Sequence, residues 1–188
     1  AFDGSDVDDW TALRLETLDG YQFTPVYGPD RRPTVWDPAE FGGQVPRLEV
    51  AAAVDEVFAR FDVVRFYCDP PYWESEVDAW AERYGEKRVV RWATYRTVQM
   101  HAAAERLLTD VTKADATFRH DGCVITAVHM RNARKAARAG QRYVLAKASQ
   151  TQKIDAVIPS ILAHEAAGDA IAAGVARPKK KSKMIVMR

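Results

Sequence analysis

The alternation of helical and strand patterns after residue 48 is the sequence feature that most constrains the fold. Apolar residues recur at helical spacing over residues 50–61, and the β-branched and aromatic run at residues 63–68 is typical of a strand. Asp69 and two prolines end that strand, because proline has no N–H to give to a β-ladder. The same alternation predicts further helices near residues 77–84, 100–111, 123–133 and 154–173, and short strands at residues 88–92 and 143–146.

The first 48 residues follow a different pattern. Residues 9–18 alternate loosely, Asp19-Gly20 favours a tight turn, and residues 21–27 are predicted to return as a second strand. The proline- and glycine-rich residues 28–48 predict a long surface connection with room for one short strand. A hairpin followed by alternating helices and strands predicts an α/β fold. Its mixed sheet would have antiparallel hairpin strands first and parallel strands added later, with α-helices on its faces.

The composition is that of one soluble globular domain, with 188 residues, of which 47% are hydrophobic and 28% charged. No apolar run approaches the ~20 residues of a membrane span, and the start of the chain lacks the features of a signal peptide. The two cysteines have no CxxC spacing, so neither a disulfide framework nor a zinc site is indicated, and a reducing, cytoplasmic setting is expected. Because the first residue is alanine, we expect a fragment of a longer polypeptide.

The net charge of +1 conceals a segregation of charge along the chain. Residues 131–147 contain six basic residues and no acidic one, and residues 177–188 repeat that count. Unopposed cations suit DNA phosphates, although a solvated basic surface is the alternative. We predict a folded domain over residues 1–176 and a flexible basic tail over residues 177–188. The predicted DNA contacts are Arg131, Arg134, Lys135, Arg138, Arg142 and Lys147.

Three aspartates lie at element boundaries. Asp3 belongs to the first predicted strand, Asp69 ends a later strand, and Asp155 is expected in the first turn of the last helix. Carboxylates from separate strand ends and a helix start can converge, and a divalent cation is then needed to neutralise their repulsion. Each also has a simpler interpretation, as a solvated residue near the chain start, a turn residue before proline, or a helix cap. Sequence spacing does not distinguish these interpretations.

Four segments, taken in order, resemble the C-terminal nuclease domain of the large terminase subunit of tailed bacteriophages. They are Asp3-Gly4-Ser5, residues 9–13 (DWTAL), residues 67–73 (YCDPPYW) and residues 153–156 (KIDA). Shorter stretches between them, including His120-Asp121-Gly122 and residues 129–133 (HMRNA), keep the same order, so the similarity covers roughly residues 1–173.

The resemblance implies an RNase H-like fold and metal-dependent endonuclease cleavage of double-stranded DNA concatemers during genome packaging. By this match Asp3, Asp69 and Asp155 are the catalytic metal ligands for two Mg²⁺ or Mn²⁺ ions, and Asp69 bridges the two. Ser5, Asp9 and Lys153 could orient the ligands or contact a phosphate. Family members also carry an ATPase motor, and no phosphate-binding loop of that kind occurs in this chain.

The expected partners are therefore the ATPase domain, the small terminase subunit and the portal, in the cytoplasm of the host. Two alternatives stay open: another RNase H-like nuclease, such as a Holliday-junction resolvase or a transposase-type enzyme, or a non-catalytic adaptor that recruits DNA or a packaging partner. His120 and His129 are interpreted as structural, because a metal-bound water needs no histidine base. Trp36, in the long connection, is the one tryptophan kept as a candidate for stacking on bases, whereas core positions are predicted for Trp73, Trp80 and Trp92.

Overall fold

The computed structural model describes residues 1–149 and 151–175, so the predicted basic tail lies outside the described residues. The described helices are α1 (Arg47–Arg60), α2 (Glu74–Tyr84), α3 (Thr97–Thr112), α4 (Val124–Asn132) and α5 (Val157–Ala172), with a 3-10 helix at Pro38–Phe41. The described strands are β1 (Phe2–Asp3), β2 (Thr11–Leu13), β3 (Leu15–Glu16), β4 (Tyr21–Phe23), β5 (Val26–Tyr27), β6 (Arg32–Pro33), β7 (Val35–Trp36), β8 (Phe66–Cys68), β9 (Val89–Arg91), β10 (Arg119–His120), β11 (Ala133–Arg138) and β12 (Arg142–Lys147).

Five strands form the main sheet, in the order β7-β2-β1-β8-β9. The neighbours β7, β2 and β1 are antiparallel, whereas β1, β8 and β9 run parallel. In the central strand, Phe2 lies opposite Leu13 of β2 and opposite Cys68 of β8. The prediction of a mixed sheet, with antiparallel strands first and parallel strands added later, is confirmed.

Helices cover both faces of this sheet, and the alternation of side chains along each strand decides which face a residue joins. Phe2 and Cys68 pack into one buried cluster with residues of α1 and α2. Ala1 and Tyr67, one position before Phe2 and Cys68 in the chain, pack into a second cluster with residues of α3 and α5. Full burial of a side chain such as Phe2 contributes about 1.5–3 kcal/mol. Residues that alternate with Phe2 and Cys68 therefore point to the α5 side.

The predicted amino-terminal hairpin is present but divided among three sheets, because β2 belongs to the main sheet. β3 and β4 pair antiparallel through a turn in which Gly20 adopts a φ of +83°, and β10 adds to β4 in parallel. The predicted return strand at residues 21–27 breaks between β4 and β5, where Pro25 has no N–H to donate. β5 instead pairs with β6 in a separate small sheet.

The long connection at residues 28–48 supplies β7, the edge strand of the main sheet. Trp36 of β7 is fully buried, and its Nε1 donates a hydrogen bond to the Tyr27 hydroxyl at 2.9 Å. The interpretation of Trp36 as a stacking platform is therefore wrong, because pairing of β7 with β2 carries its ring into the core. The predicted core positions of Trp73, Trp80 and Trp92 are confirmed, since all three are buried.

A second difference from prediction is the hairpin of β11 and β12. Six residue pairs join these strands, from Ala133 opposite Lys147 to Arg138 opposite Arg142. The sequence of β11, ARKAAR, consists of good helix formers, so its pattern gives no strand signal. Pairing with β12, which packs against α3, overrides that propensity. In the part of the chain that the structure describes, no helix is long and apolar enough to cross a membrane.

Candidate metal centre

Asp3 and Asp69 stand at the ends of two neighbouring parallel strands in the main sheet. Asp3 is the last residue of β1, and Asp69 directly follows β8. Phe2 pairs with Cys68, and the Asp69 N–H donates to the Phe2 carbonyl at 3.1 Å. Because side chains alternate along a strand, both aspartates point to the side covered by α5, opposite to Phe2 and Cys68.

Asp155 approaches the same face of the sheet from the turn before α5. It is 6% exposed and directly precedes Ala156, the N-cap residue of a helix that contacts β1 and β8. We expected Asp155 within the first helical turn, but α5 begins at Val157, so this aspartate lies in the turn before the helix. The charges of Asp69 and Asp155 both act on Asp3, so both of these carboxylates lie within electrostatic range of it.

Burial and repulsion oppose full ionisation of this cluster. Burial raises the pKa of Asp3 well above its usual range, and repulsion by Asp69, Asp155 and Asp9 raises it further. Burial also raises the pKa of Asp69. For Asp155, burial and then the charge of Asp9 raise the pKa. A site of this kind favours a bound proton or a bound cation over uncompensated negative charge.

Thr94 positions one of these carboxylates and was missed by the sequence reasoning. It lies in the connection between β9 and α3, where its Oγ1 donates to Asp69 Oδ2 at 2.5 Å and its N–H donates to Asp69 Oδ1 at 3.2 Å. Both hydrogen bonds favour the charged carboxylate and oppose the effect of burial on the pKa of Asp69. The one sequence feature that could have identified Thr94 as a site residue is its position just after a strand end. Many loop residues share that feature.

Two lysines surround Asp9 at the edge of the acidic cluster. Lys147 Nζ, from β12, and Lys153 Nζ, at 3.1 Å, both contact Asp9 Oδ1. Lys153 Nζ also donates to the Asp8 carbonyl. Although burial raises the pKa of Asp9, the hydrogen bonds from the two lysines bring it below its usual range. Lys147, predicted as a DNA contact, thus lies beside Asp9 and Lys153 at the candidate site.

The loop after β1 is held by Ser5 and by a close approach of Trp73. Ser5 Oγ accepts a hydrogen bond from the Asp9 N–H at 3.3 Å, and the Ser5 N–H donates to Thr11 Oγ1 at 3.0 Å. Trp73 Nε1 donates to the Ser5 carbonyl at 3.1 Å, and its ring fills the space where a Cβ on Gly4 would lie. Ser5 therefore influences the site by fixing the backbone that carries Asp9.

His129 has the structural role predicted for it. It is 2% exposed, its ring lies 5.0 Å from the Trp10 ring, and its Nδ1 accepts a hydrogen bond from the Ala156 N–H at 3.0 Å. Burial, with a contribution from Lys153, lowers the pKa of His129 to about 4. The neutral imidazole thus anchors the turn that carries Asp155. His120 is exposed on β10 and bonds through Nδ1 to the N–H of Gly122.

The donor chemistry of the cluster fits a divalent cation. Asp155 Oδ2 is buried and accepts no hydrogen bond from any described residue. Carboxylate oxygens are the ligands that Mg²⁺ and Mn²⁺ prefer. Within residues 1–149 and 151–175, no group of three or more His, Cys, Asp or Glu side chains is placed so that it could hold a metal ion.

A basic surface lies on one face of the β11–β12 hairpin. The register places Arg138 opposite Arg142, and the alternation of side chains puts Arg134 on the same face. All three arginines are exposed. We call this set the arginine face. None of the three has a carboxylate partner among the described residues, so their charge is available to a phosphate.

The other three predicted DNA contacts differ in their surroundings. Arg131, in the last turn of α4, is exposed and donates through Nε to the Ala127 carbonyl. Lys135 pairs with Glu105 at 2.9 Å and lies over the Tyr143 ring. The third is Lys147, which contacts Asp9. Two of the six predicted cations are therefore already neutralised by acids of the fold.

Comparison with known proteins gives two curated relatives from phages. The chain is 33% identical over 186 residues to the "Gene 13 protein" of Mycobacterium phage D29 and 32% identical over 186 residues to the "Gene 13 protein" of Mycobacterium phage L5. Each alignment covers 94% of this chain but 30% of the relative, so the chain spans about 30% of the length of the curated relatives that it matches. No family model and no solved structure matches the chain.

Proposed function

We propose that this chain is an RNase H-like nuclease domain of a phage large terminase subunit, which cuts double-stranded DNA concatemers during genome packaging. The observation that carries the proposal is the convergence of Asp3, Asp69 and Asp155 on one face of the sheet. The three come from a central strand, the end of its parallel neighbour and the turn before α5. Carboxylates gathered in this way are strongly disfavoured without a cation, and their pKa shifts express that cost.

The order of strands supports the RNase H-like part of the proposal. The sheet has three antiparallel strands, β7, β2 and β1, followed by the parallel strands β8 and β9. The resemblance of the motifs to terminase nucleases implies this sequence of pairings, with helices on both faces. The candidate ligands also fall where that fold would place them, on the first strand, at the end of the first parallel addition and beside the last helix.

The residues of the cluster would have different roles in binding the metal and the substrate. Asp3, Asp69 and Asp155 would hold one or two Mg²⁺ or Mn²⁺ ions through carboxylate oxygens. Such ions lower the pKa of a bound water and stabilise the leaving oxygen of a phosphodiester. Thr94 keeps Asp69 oriented and favours its charged form.

The neighbouring lysines have a supporting part in this proposal. Lys147 and Lys153 compensate the charge of Asp9, so that this fourth acid adds less repulsion where a phosphate must approach. The arginine face would hold the duplex by neutralising phosphates. An acidic centre repels DNA, so binding of the cation is expected to strengthen binding of the duplex as well.

The relatives support a phage context for this activity. Both are mycobacteriophage proteins more than three times as long as the aligned segment, which leaves room in them for a separate motor domain. By the terminase resemblance, the partners would be that ATPase domain, the small terminase subunit and the portal.

Cleavage of supercoiled plasmid DNA in Mn²⁺ or Mg²⁺ tests the proposal. We expect nicked and linear products from the unmodified chain and from Asp8→Asn, a control at an exposed aspartate next to the site. Asp69→Asn should give no detectable product while keeping the circular dichroism spectrum and cooperative melting of a folded protein. Full cleavage by Asp69→Asn would refute the proposal. Binding of DNA without cutting, and without a metal effect on melting, would favour the adaptor.

Substrate choice separates the terminase assignment from a related nuclease. Linear duplex and a four-way junction of the same sequence should be cut at similar rates by a packaging nuclease. A strong preference for the junction would instead indicate a resolvase.

Salt dependence of duplex binding tests the arginine face. Each phosphate contact contributes about 0.9 to the slope of log Kobs against log salt concentration, so replacing three arginines should reduce it by about 2.7. The test variant replaces Arg134, Arg138 and Arg142 with alanine, and Arg88→Ala, an exposed arginine outside the hairpin, is the control. An unchanged slope in the triple variant would remove the hairpin from the DNA path.

A further inference from the structure

Two exposed tyrosines follow the strand ends at the candidate metal centre. Tyr72 lies three residues after Asp69 and is 69% exposed. Tyr95 is 72% exposed and directly follows Thr94, whose hydroxyl and N–H both bond to Asp69. Because β8 and β9 are parallel neighbours, the two loops leave the main sheet at the same edge. Both rings therefore stand in solvent close to a predicted metal ligand.

The backbone of Tyr72 adopts a conformation that disfavours a tyrosine. Residues 70–73 form a tight turn, in which the Trp73 N–H donates to the Pro70 carbonyl at 2.9 Å. Tyr72 is the third residue of this turn and has a φ of +67°, a left-handed conformation that favours glycine or asparagine. Backbone strain of this kind occurs most often at functional sites. It is the observation that distinguishes Tyr72 from an ordinary exposed side chain.

The turn is fixed by the residues beneath it. Trp73 is fully buried, and the Arg47 guanidinium lies 4.4 Å from the centroid of its ring. Arg47 Nη2 donates to the Tyr72 carbonyl at 2.7 Å, and Arg47 Nη1 bonds to Glu76 at 2.7 Å. The fold thus holds the backbone of Tyr72 in place while the ring stays in solvent. A ring on a fixed backbone loses little conformational entropy when it contacts a ligand.

A polar cleft of about 580 Å³ opens beside Tyr95. It is lined by Pro70 of the first loop and by Tyr95 and the exposed Arg96 of the second. The cleft also has two acids in its lining, each with a partner in the fold: Glu165 with Arg106, and Asp169 with the Tyr67 hydroxyl. The space next to the Tyr95 ring can therefore accept a planar group, with the Arg96 cation available to a phosphate.

We propose that Tyr72 and Tyr95 stack on unpaired bases of a DNA strand bound at the candidate metal centre. Aromatic rings held in solvent beside a cation bind single-stranded DNA without sequence preference, because every base has a π-face. A paired duplex covers those faces except at its ends. The inference rests on the proposed nuclease function for the identity of the ligand, and it adds that the duplex is locally opened where it is cut.

Binding of an oligothymidylate of about 12 nucleotides, measured by fluorescence anisotropy in EDTA, tests the proposal without any cutting. Tyr72→Ala and Tyr95→Ala should each raise the Kd about fivefold or more, which corresponds to a stacking energy of at least about 1 kcal/mol per base. Tyr72→Phe and Tyr95→Phe keep the rings and should bind as the unmodified chain does. Val124→Ala, which truncates an exposed apolar side chain of α4, is the control and should change nothing. The Kd for a blunt duplex of the same length should change little in either alanine variant.

Tyr72→Gly separates a binding role from a structural one. Glycine fits the left-handed turn position, so the Tm of this variant should be at least that of the unmodified chain, while its affinity for the oligothymidylate falls as in Tyr72→Ala. A lower Tm for Tyr72→Gly would assign the ring to the stability of the fold and overturn its proposed role.

Asp69→Asn makes the failure of this inference distinguishable from failure of the proposed function. This variant should lose cutting but bind the oligothymidylate at least as tightly as the unmodified chain, since one repelling charge is removed. Ring-dependent binding by a chain that cuts no DNA would refute the nuclease and support the stacking role. Equal binding by the Tyr72→Ala, Tyr95→Ala double variant, or no binding by the unmodified chain, would overturn the inference whether or not the chain cuts DNA.

Discussion

Replacing Asp3 with asparagine tests the electrostatics of the candidate metal centre without assuming any activity. Asparagine keeps the size of the side chain but carries no charge, so the packing of the central strand is preserved. Burial and repulsion by Asp69, Asp155 and Asp9 raise the pKa of Asp3 in the folded chain. In the absence of metal, we therefore expect Asp3→Asn to be more stable than the unmodified chain at neutral pH.

The sign follows from proton linkage. A carboxyl whose pKa is raised by folding binds more protons in the folded than in the unfolded state, so its contribution falls as pH rises above the unfolded value of about 3.9 and levels off above the folded pKa. Each pKa unit corresponds to about 1.4 kcal/mol, and 1 kcal/mol moves the Tm of a domain of this size by about 2–4 °C. For each pKa unit by which folding raises the pKa of Asp3, the substitution should thus raise the Tm by about 3–6 °C.

Thermal melting in EDTA between pH 4 and pH 8 measures this effect, with Asp8→Asn as the matched control. The advantage of Asp3→Asn should be close to zero at the acidic end and grow as pH rises, while the control should follow the unmodified chain. Adding Mg²⁺ or Mn²⁺ at 100 times its Kd should stabilise the unmodified chain by about 2.7 kcal/mol and leave Asp3→Asn unaffected. A Tm for Asp3→Asn at pH 8 that is equal to or below that of the unmodified chain would refute the reasoning.

Three further substitutions probe the packing around the site, each followed by denaturant unfolding. Thr94→Val removes the hydroxyl bond to Asp69 and should cost about 1.5–3 kcal/mol near neutral pH, with a smaller loss in acid where Asp69 is protonated; an equal loss at both pH values would contradict this. Gly4→Ala places a Cβ about 2.5 Å from Trp73 Cδ1 and should cost about 1–3 kcal/mol, so a neutral effect would contradict the close approach. Leu162→Ala, at a fully buried position of α5, should cost about 2.7–5 kcal/mol, and a loss below 1 kcal/mol would contradict its core position.

Local chemistry made part of the fold predictable from sequence. The prolines after Asp69 mark the end of β8, and the apolar spacing of α1 and α5 is strong enough to place both helices. β11 could not be predicted in the same way, because its alanines, arginines and lysine favour a helix in isolation. Its strand conformation results from pairing with β12, a tertiary effect that no local pattern contains.

The candidate site, like the fold, could be predicted from the sequence only in part. Asp3, Asp69 and Asp155 were predicted as a set through motif order, while their convergence required the register of β1 and β8 and the packing of α5. Thr94 and the contact of Lys147 with Asp9 were not predicted, because each joins segments far apart in sequence without a distinguishing motif. A run of basic residues in the sequence indicates a positively charged surface. It does not show which of those residues are neutralised by neighbouring acids.

The spread of the three aspartates over residues 3, 69 and 155 also has a consequence for biosynthesis. Their meeting point exists only after β1 has paired with a strand more than sixty residues later and α5 has docked on both. Such non-local contacts form late in folding, because the chain must lose the entropy of loop closure before these contacts can stabilise it. A chain still emerging from the ribosome without its last helix would lack the complete ligand set. The proposed nuclease would therefore be unable to cut DNA until translation of the domain had finished.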